Sequence, residues 1–495
     1  MRWKLFGGLG ALVAGVALLA IGTSNGWFGV TRGPGDIKGA ERPRDVVDAY
    51  AAANTDAAKS VQAPSAKQIL FGDFHVHTTF SLDAFNMSLP MVQGEGAHPP
   101  ADACDFARYC SALDFWSIND HVEGMTPLQW KQTRQSIQAC NAQSADQNNP
   151  DMVAFLGWEW TQIGLTPKDH YGHKNVIIRD IEDDKTPVRP IAALSNANSL
   201  GGAALASGPN FWDRLLLTAT SPDGPRQEYH DYMRYLADRR GLKTCPSGVD
   251  VRKLPADCME GAATPPELFE KLNQWGFPAM VIPHGTTWGF YTPAGVTFDK
   301  QLAGKNHDPR LQPLFEIYSG HGNSEEYRDY KEVILDADGN PSCPAPTKTH
   351  LPSCWQAGEI IRKRCKAEGK PDATCEEWAV EARKNYVAVG VTGYRSVVGA
   401  RPEDWGDSGQ CRDCTLPAFN YRPGNSAQYV LALTNFDEKK PKRFDFGFIG
   451  SSDNHYARAG TGYKEFGRMR NTEGGGPGKP GTFLDPEATR AKPES

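Results

Sequence analysis

Asp73, His75 and His77 alternate along "FGDFHVHTTFSLDA", residues 71–84, and Asp83 stands just behind them. Side chains at i and i+2 of a strand share a face, so the two imidazoles are presented together. The spacing returns near the far end of the chain, where Asp453 and His455 alternate in "SSDNH". Each such pair can grip one ion. Mixed imidazole and carboxylate donors suit zinc, manganese or iron, whereas an all-oxygen set suits calcium or magnesium. A single His-x-His pair is a weak signal, because strands also use it for packing or surface hydrogen bonds.

The set is stronger than the pair. "NDH" at 119–121 brings His121, "GWEW" brings Glu159, "HYGHKNV" brings His170 and His173, and "IPHG" brings His284, each beside an apolar run. Strand ends are where barrel and open-sheet enzymes place their chemistry. His170 and His173 compete for one role, and His173 is preferred because "HKNVII" leads directly into a strand. Glu316 in "LFEIYSG" holds an inward strand position from which it can orient a ligand histidine. Asp73 is read as such a support too, or as support at the N-terminal end of its strand. His321 in "IYSGHG" and Arg458 after "SSDNHYA" are candidates for protonating a leaving group and holding a phosphate oxygen. Trp158 and Trp160 flank Glu159 on the opposite strand face and are expected in the core. His98, His230, His307 and His350 fall in Pro- or charge-rich stretches and are expected at the surface.

Seven apolar runs must position these groups: "QILFGDFHVH", "LDFWSINDH", "MVAFLGWEW", "HKNVII", "AMVIPHG", "LFEIYSGHG" and "FGFIGSSDNH". Near-continuous apolar strands predict a parallel sheet or barrel covered by helices. Helix signals lie between them. "TPLQWKQTRQSIQACNAQ" (126–143) starts with Thr-Pro, and "TPPELFEKLNQWG" (264–276) has a Thr cap, prolines, an early Glu and a closing Gly. Two stretches, about 181–262 and 322–425, interrupt the alternation and read as loop-rich, Cys-containing insertions into one α/β domain spanning 67–470. Residues 471–495 read as a flexible tail.

The 495-residue chain is 39% hydrophobic and 23% charged, with 36 prolines and 50 glycines, as for a loop-rich globular enzyme. A net charge of −6 gives no electrostatic case for nucleic acid as a partner. Arg2 and Lys4 precede an uncharged run from Leu5 to about Gly22, the pattern of an export signal. The run is long enough to read as an uncleaved membrane anchor as well as a signal peptide (1–30), and a linker (31–66) follows. Export makes disulfides the expected use of the 11 cysteines. Proximity pairs Cys245 with Cys258, Cys343 with Cys354, Cys365 with Cys375 and Cys411 with Cys414. "CRDC" at 411–414 lacks the second Cys pair of a zinc ribbon.

In its order of motifs, from about Leu70 to His455, the chain resembles the PHP superfamily, named for polymerase and histidinol phosphatase domains. The resemblance implies a distorted (β/α)7 barrel with a trinuclear metal site at its mouth. His75 and His77 match the opening His-x-His, and Asp83 stands where the family often has His or Asp. His121 matches the next ligand, Glu159 the carboxylate that bridges two metals, and His173 and His284 the histidines that follow. Asp453 and His455 match the closing Asp-x-His. The exported setting is similar to a secreted branch rather than to the polymerase or histidinol-phosphatase members. The resemblance implies a phosphoesterase using two or three divalent ions (Zn, Mn or Fe) on a small-molecule phosphate ester, with Glu159 and Asp453 in the catalytic set. Neither a GxSxG elbow nor a GxxxxGK[ST] loop is present, so serine-hydrolase and nucleotide-triphosphatase readings lack their main residues. Hydrolysis of carboxylic esters or amides, and a metal-stabilised binding protein, are the competing readings.

Overall fold

In the computed structural model every one of the seven apolar runs forms a strand: β1 (Gly72–Val76), β2 (Phe115–Ile118), β3 (Val153–Trp160), β4 (Lys174–Ile178), β5 (Ala279–Pro283), β6 (Leu314–Ser319) and β7 (Gly447–Gly450). The structure describes residues 2–63, 69–90, 94, 96–193, 210–220, 226–287, 292–293, 295–319, 322–323, 331–348, 350–406, 408–409, 422–435 and 439–461. The main helices are α1 (Arg2–Ser24), α2 (Arg44–Ser60), α3 (Leu82–Ser88), α4 (Pro100–Asp105), α5 (Pro127–Asn141), α6 (Phe211–Thr220), α7 (Arg226–Arg239), α8 (Pro265–Trp275), α9 (Ser353–Ala367) and α10 (Asp372–Val389).

Strands β1 to β5 form one sheet in chain order, and β6 pairs with β7 in a second. The first three strands run parallel, as do β6 and β7. The parallel expectation fails at β4, which is antiparallel to both β3 and β5. Residues 161–173, between β3 and β4, contain no helix. Without a crossover the chain returns alongside the strand it has just left, and that pairing is antiparallel. The free edge of β1 meets the chain beyond β7: Val76 bridges Asn454 in parallel, and the Asp453 N–H donates to the His75 carbonyl at 2.8 Å. The product is a mixed α/β fold around a curled half-barrel sheet.

Trp158 and Trp160 are fully buried as expected, their indole N–H groups donating to the Ile191 and Ala262 carbonyls at 2.9 and 3.0 Å. Both helix signals hold. Thr126 and Gln129 close a capping box at α5, and Gly276 ends α8 at φ 72°. The stretch 181–262 contributes α6, α7 and three short paired strands. Within 322–425, α9 and α10 pack on an apolar cluster of their own, including Cys354, Ile360, Ile361, Ala382 and Tyr386.

Disulfides join Cys245 to Cys258, Cys343 to Cys354 and Cys365 to Cys375, as proximity predicts. A fourth joins Cys104 in α4 to Cys140 in α5 across 36 residues, a span at which sequence proximity gives no signal. Cys411 and Cys414 lie outside the described residues. Four disulfides are consistent with an oxidising, exported location. Among the described residues no helix is long and apolar enough to cross a membrane, so the anchor reading of the N-terminal run is not supported. The segment after α1 is tied to the body instead. Val30 N–H and the Arg32 guanidinium donate to Asp231 at 2.9 and 2.7 Å, and α2 lies within the stretch read as a linker.

Candidate metal centre

Glu159 ends β3 one residue before its last position, and the local bridge of His121 to Glu159 sets the loop after β2 beside it. Its two carboxylate oxygens face different partners. Oε1 meets His173 Nδ1 and lies 3.1 Å from His284 Nε2. Oε2 lies 3.2 Å from His77 Nε2, 3.3 Å from His121 Nδ1 and 3.5 Å from His75 Nε2. Asp453 Oδ1 stands 3.2 Å from the Nε2 atoms of both His75 and His77. Asp83 Oδ2 is 2.8 Å from His121 Nε2 and 3.1 Å from His455 Nε2. His75, His77, Asp83, His121, Glu159, His173, His284, Asp453 and His455 therefore converge, although they span most of the sequence.

These buried groups can hold metal ions, and two observations bear on the fit. Tetrahedral donors at bonds of about 2.0–2.2 Å stand roughly 3.3–3.6 Å apart, and octahedral neighbours at about 2.1 Å roughly 3.0 Å apart. The nitrogen-to-oxygen spacings fall in or close to that range. Nor are all the donor atoms used up by one another, since His75 Nε2 and His77 Nε2 are buried without a hydrogen bond. The His77 and His455 rings stack at 4.2 Å and 10°, a close contact better tolerated by neutral ligand imidazoles than by two cations.

The far ring nitrogens of His75, His77 and His455 are anchored as ligand histidines require. His75 Nδ1 meets Glu316 Oε2 at 3.0 Å, which gives Glu316 the orienting position expected of it. His77 Nδ1 meets Ser81 Oγ at 3.1 Å, and that oxygen also accepts the His121 N–H at 2.9 Å. His455 Nδ1 lies 3.1 Å from the Asp453 carbonyl. A carbonyl only accepts, so Nδ1 carries the proton and Nε2 is left as the donor atom toward Asp83. Asp453 itself sits at φ 51°, a left-handed conformation that Asp tolerates better than most residues and that here accompanies the turn out of β7.

Asp73 plays a different part from its neighbours. Its carboxylate accepts N–H bonds from His75, Ser452 and Gly460 at 3.0, 3.0 and 2.7 Å, fastening β1 to the segment that carries Asp453 and His455. The register of β1 against β2 shifts between Asp73 and Val76, so strict alternation does not carry through the strand. Asp83 lies in the first turn of α3, where it accepts the Ala84 N–H at 2.8 Å, and also faces the histidines.

Electrostatics link the centre to pH. Burial works against the charged form of His121, but Asp83 and Glu159 outweigh it and push its pKa up to about 10. His75 is likewise raised despite burial, by Asp453 and Glu316. Burial favours the neutral forms of Asp83 and Glu159, yet the surrounding histidines hold both well below the usual carboxylate range. Stability from the raised histidines is full below their unfolded pKa of about 6.5 and fades as pH climbs through the folded values. Stability from the carboxylates is present above about 4 and is lost in acid. Chelator-stripped protein should therefore melt highest at roughly pH 5–7 and lose Tm toward pH 10, while zinc affinity rises over the same interval because ligand imidazoles must be neutral. A Tm independent of pH between 7 and 10 would contradict this coupling.

His170 stays out of the cluster. It is buried, its Nδ1 accepts the Gly164 N–H at 3.2 Å, and burial with nearby His173 pulls its pKa well below the ordinary value. Arg458 is half-buried with its guanidinium 5.9 Å from the Tyr456 ring centre, and His321 lies outside the described residues. His350 is buried rather than at the surface, His98, His230 and His307 are half-buried, and His230 belongs to α7 rather than a loop. Ser81, Thr161 and Asp120 were not anticipated as parts of the site. Thr161 Oγ1 meets His121 Nδ1 at 2.5 Å, and Asp120 accepts from the Thr78 N–H and hydroxyl at 2.6 and 2.8 Å. Thr161 had a usable signal, two residues beyond Glu159 in the direction of the strand; Ser81 and Asp120 had none beyond adjacency to ligands. No protein-family model, curated protein or solved structure matches this chain.

Proposed function

We propose that the protein is an exported metal-dependent phosphoesterase of the PHP superfamily, with a polynuclear centre. The observation that carries the reading is the division of Glu159, whose Oε1 faces His173 and His284 while Oε2 faces His75, His77 and His121. A carboxylate placed between two donor sets is what a bridging ligand requires. The mixed α/β fold with its curled half-barrel sheet is compatible with a barrel of that kind, with β4 as an antiparallel departure from it.

In this reading His173, His284 and Glu159 hold one divalent ion, and His75, His77, Asp453 and Glu159 a second. Asp83, His121 and His455 hold a third. Bound zinc, manganese or iron would supply Lewis acidity, lowering the pKa of water and neutralising charge on a phosphoryl group. The chain's own part is to aim the imidazoles, through Glu316, Ser81 and the Asp453 carbonyl. Arg458 holds a phosphate oxygen and His321 protonates the leaving group. A phosphate ester is preferred over a neutral ester or amide because bound divalent ions would neutralise charge on a phosphoryl group.

The test is metal content by plasma mass spectrometry with phosphate release from a panel of mono- and diesters. Two or three ions per chain and phosphate release, both lost in His75→Ala/His77→Ala, are expected. Turnover of carboxylic esters or amides alone would move the assignment to that chemistry. Stoichiometric metal with no turnover would favour a binding protein, and no stoichiometric metal would end the reading.

A further inference from the structure

Helix α7 belongs to the first insertion, yet its last turn touches both loops that carry the outermost donors. The Tyr235 hydroxyl donates to the Phe80 carbonyl at 2.9 Å, inside the loop between His77 and Asp83. Arg239 donates to the Tyr235 hydroxyl and to the Glu123 carbonyl, two residues beyond His121. Both side chains are buried, and the guanidinium lies 4.8 Å from the Tyr235 ring centre. Gly124, at φ 87°, leaves the space Arg239 fills: a Cβ there would stand 2.6 Å from Arg239 Nε. Upstream on the same helix, Tyr232 packs with Tyr235 on Phe85, two residues after Asp83, at ring distances of 5.3 and 5.1 Å. The helix thus grips the Asp83-bearing α3 and both flanking loops.

We infer that Tyr235 and Arg239 are positioning residues for the group formed by Asp83, His121 and His455, setting the affinity of the ion held there. The inference rests on the metal-centre reading above. Asp83 is the most exposed of these carboxylates, with a side chain 33% accessible against 11% or less for Glu159, Glu316 and Asp453. Its group therefore relies most on the placement of its loops. The donors around His173 and His284 lie on β3, at the start of β4 and at the end of β5, away from α7, and should be indifferent to it.

The experiment is stepwise zinc titration of the full chain against a chromogenic chelator, comparing wild type with Tyr235→Phe, Arg239→Gln and the direct ligand variant Asp83→Asn. Loss of a hydrogen bond made directly to a ligand typically costs about 10–100-fold in metal affinity, and contacts to the loops that carry the ligands should cost at the low end, about 10-fold. Both helix variants should weaken the loosest ion by that factor, leave the tighter ions unchanged, and resemble Asp83→Asn in stoichiometry at limiting zinc. Unchanged affinity for every ion would overturn the inference, as would parallel weakening of all ions with a lowered melting temperature, which marks general destabilisation. Wild-type protein that binds no zinc would instead sink the metal-centre reading itself.

Discussion

Glu159→Gln should lower kcat/KM about a thousandfold, equivalent to ~4 kcal/mol of lost transition-state stabilisation, and reduce the metal content. The amide is nearly isosteric but carries no charge and offers one oxygen in place of two. Whichever way it turns, either the His173 and His284 side or the His75, His77 and His121 side faces an N–H donor rather than an acceptor. Both donor sets lose the anion that holds them together. Glu159→Asp keeps the charge but withdraws the carboxylate by one methylene, so it should retain more metal than the amide while still losing most activity. Atomic stoichiometry with phosphate release checks both variants. A Glu159→Gln enzyme with full metal and wild-type rate would remove the bridging role.

Much of this centre is legible in sequence because its donors sit at strand ends, where apolar runs and alternation make position readable. Glu316 is an instance: an acidic residue inside "LFEIYSG" can only be tolerated if it faces a partner, and that partner is His75. What sequence does not reveal is support that arrives from elsewhere in the chain. Ser81 serves both His77 and His121 through one hydroxyl, and nothing local distinguishes it from other serines. Tyr235 and Arg239 reach the site from an insertion whose boundaries are visible but whose docking depends on tertiary packing. The reversal of β4 goes with a connection, residues 161–173, that contains no helix, a feature seen only in the structure. Apolar content indicated a buried strand and left its direction open. The Cys104–Cys140 bridge shows the same limit, because two helices must pack before those sulfurs become neighbours.

Stripping the metal should lower the melting temperature steeply while leaving the disulfides in place. Each ion bound only by the folded state adds RT ln(1 + [L]/Kd), about 4 kcal/mol at a thousandfold excess over Kd. Two such ions would contribute on the order of 8 kcal/mol, and with an unfolding entropy of about 2.1 cal/mol/K per residue over roughly 400 residues, near 1 °C per kcal/mol, the shift is on the order of 10 °C. The donors explain why the loss should spread through the fold: His75 and His77 leave β1, Glu159 lies in β3, His284 follows β5, and Asp453 and His455 come from the segment bridged to β1. Ions at this junction tie together strands distant in sequence, whereas the local bridges Cys245–Cys258, Cys343–Cys354 and Cys365–Cys375 close loops of only 13, 11 and 10 residues. Reduction should therefore loosen the insertions, and chelation the sheet. Calorimetry of holo, chelated and reduced protein, with hydrogen exchange across β1 and β3, separates the two effects. If chelation left both the melting temperature and β-strand protection unchanged, the ions would not be joining these strands, and the convergence of histidines and carboxylates would need another cause.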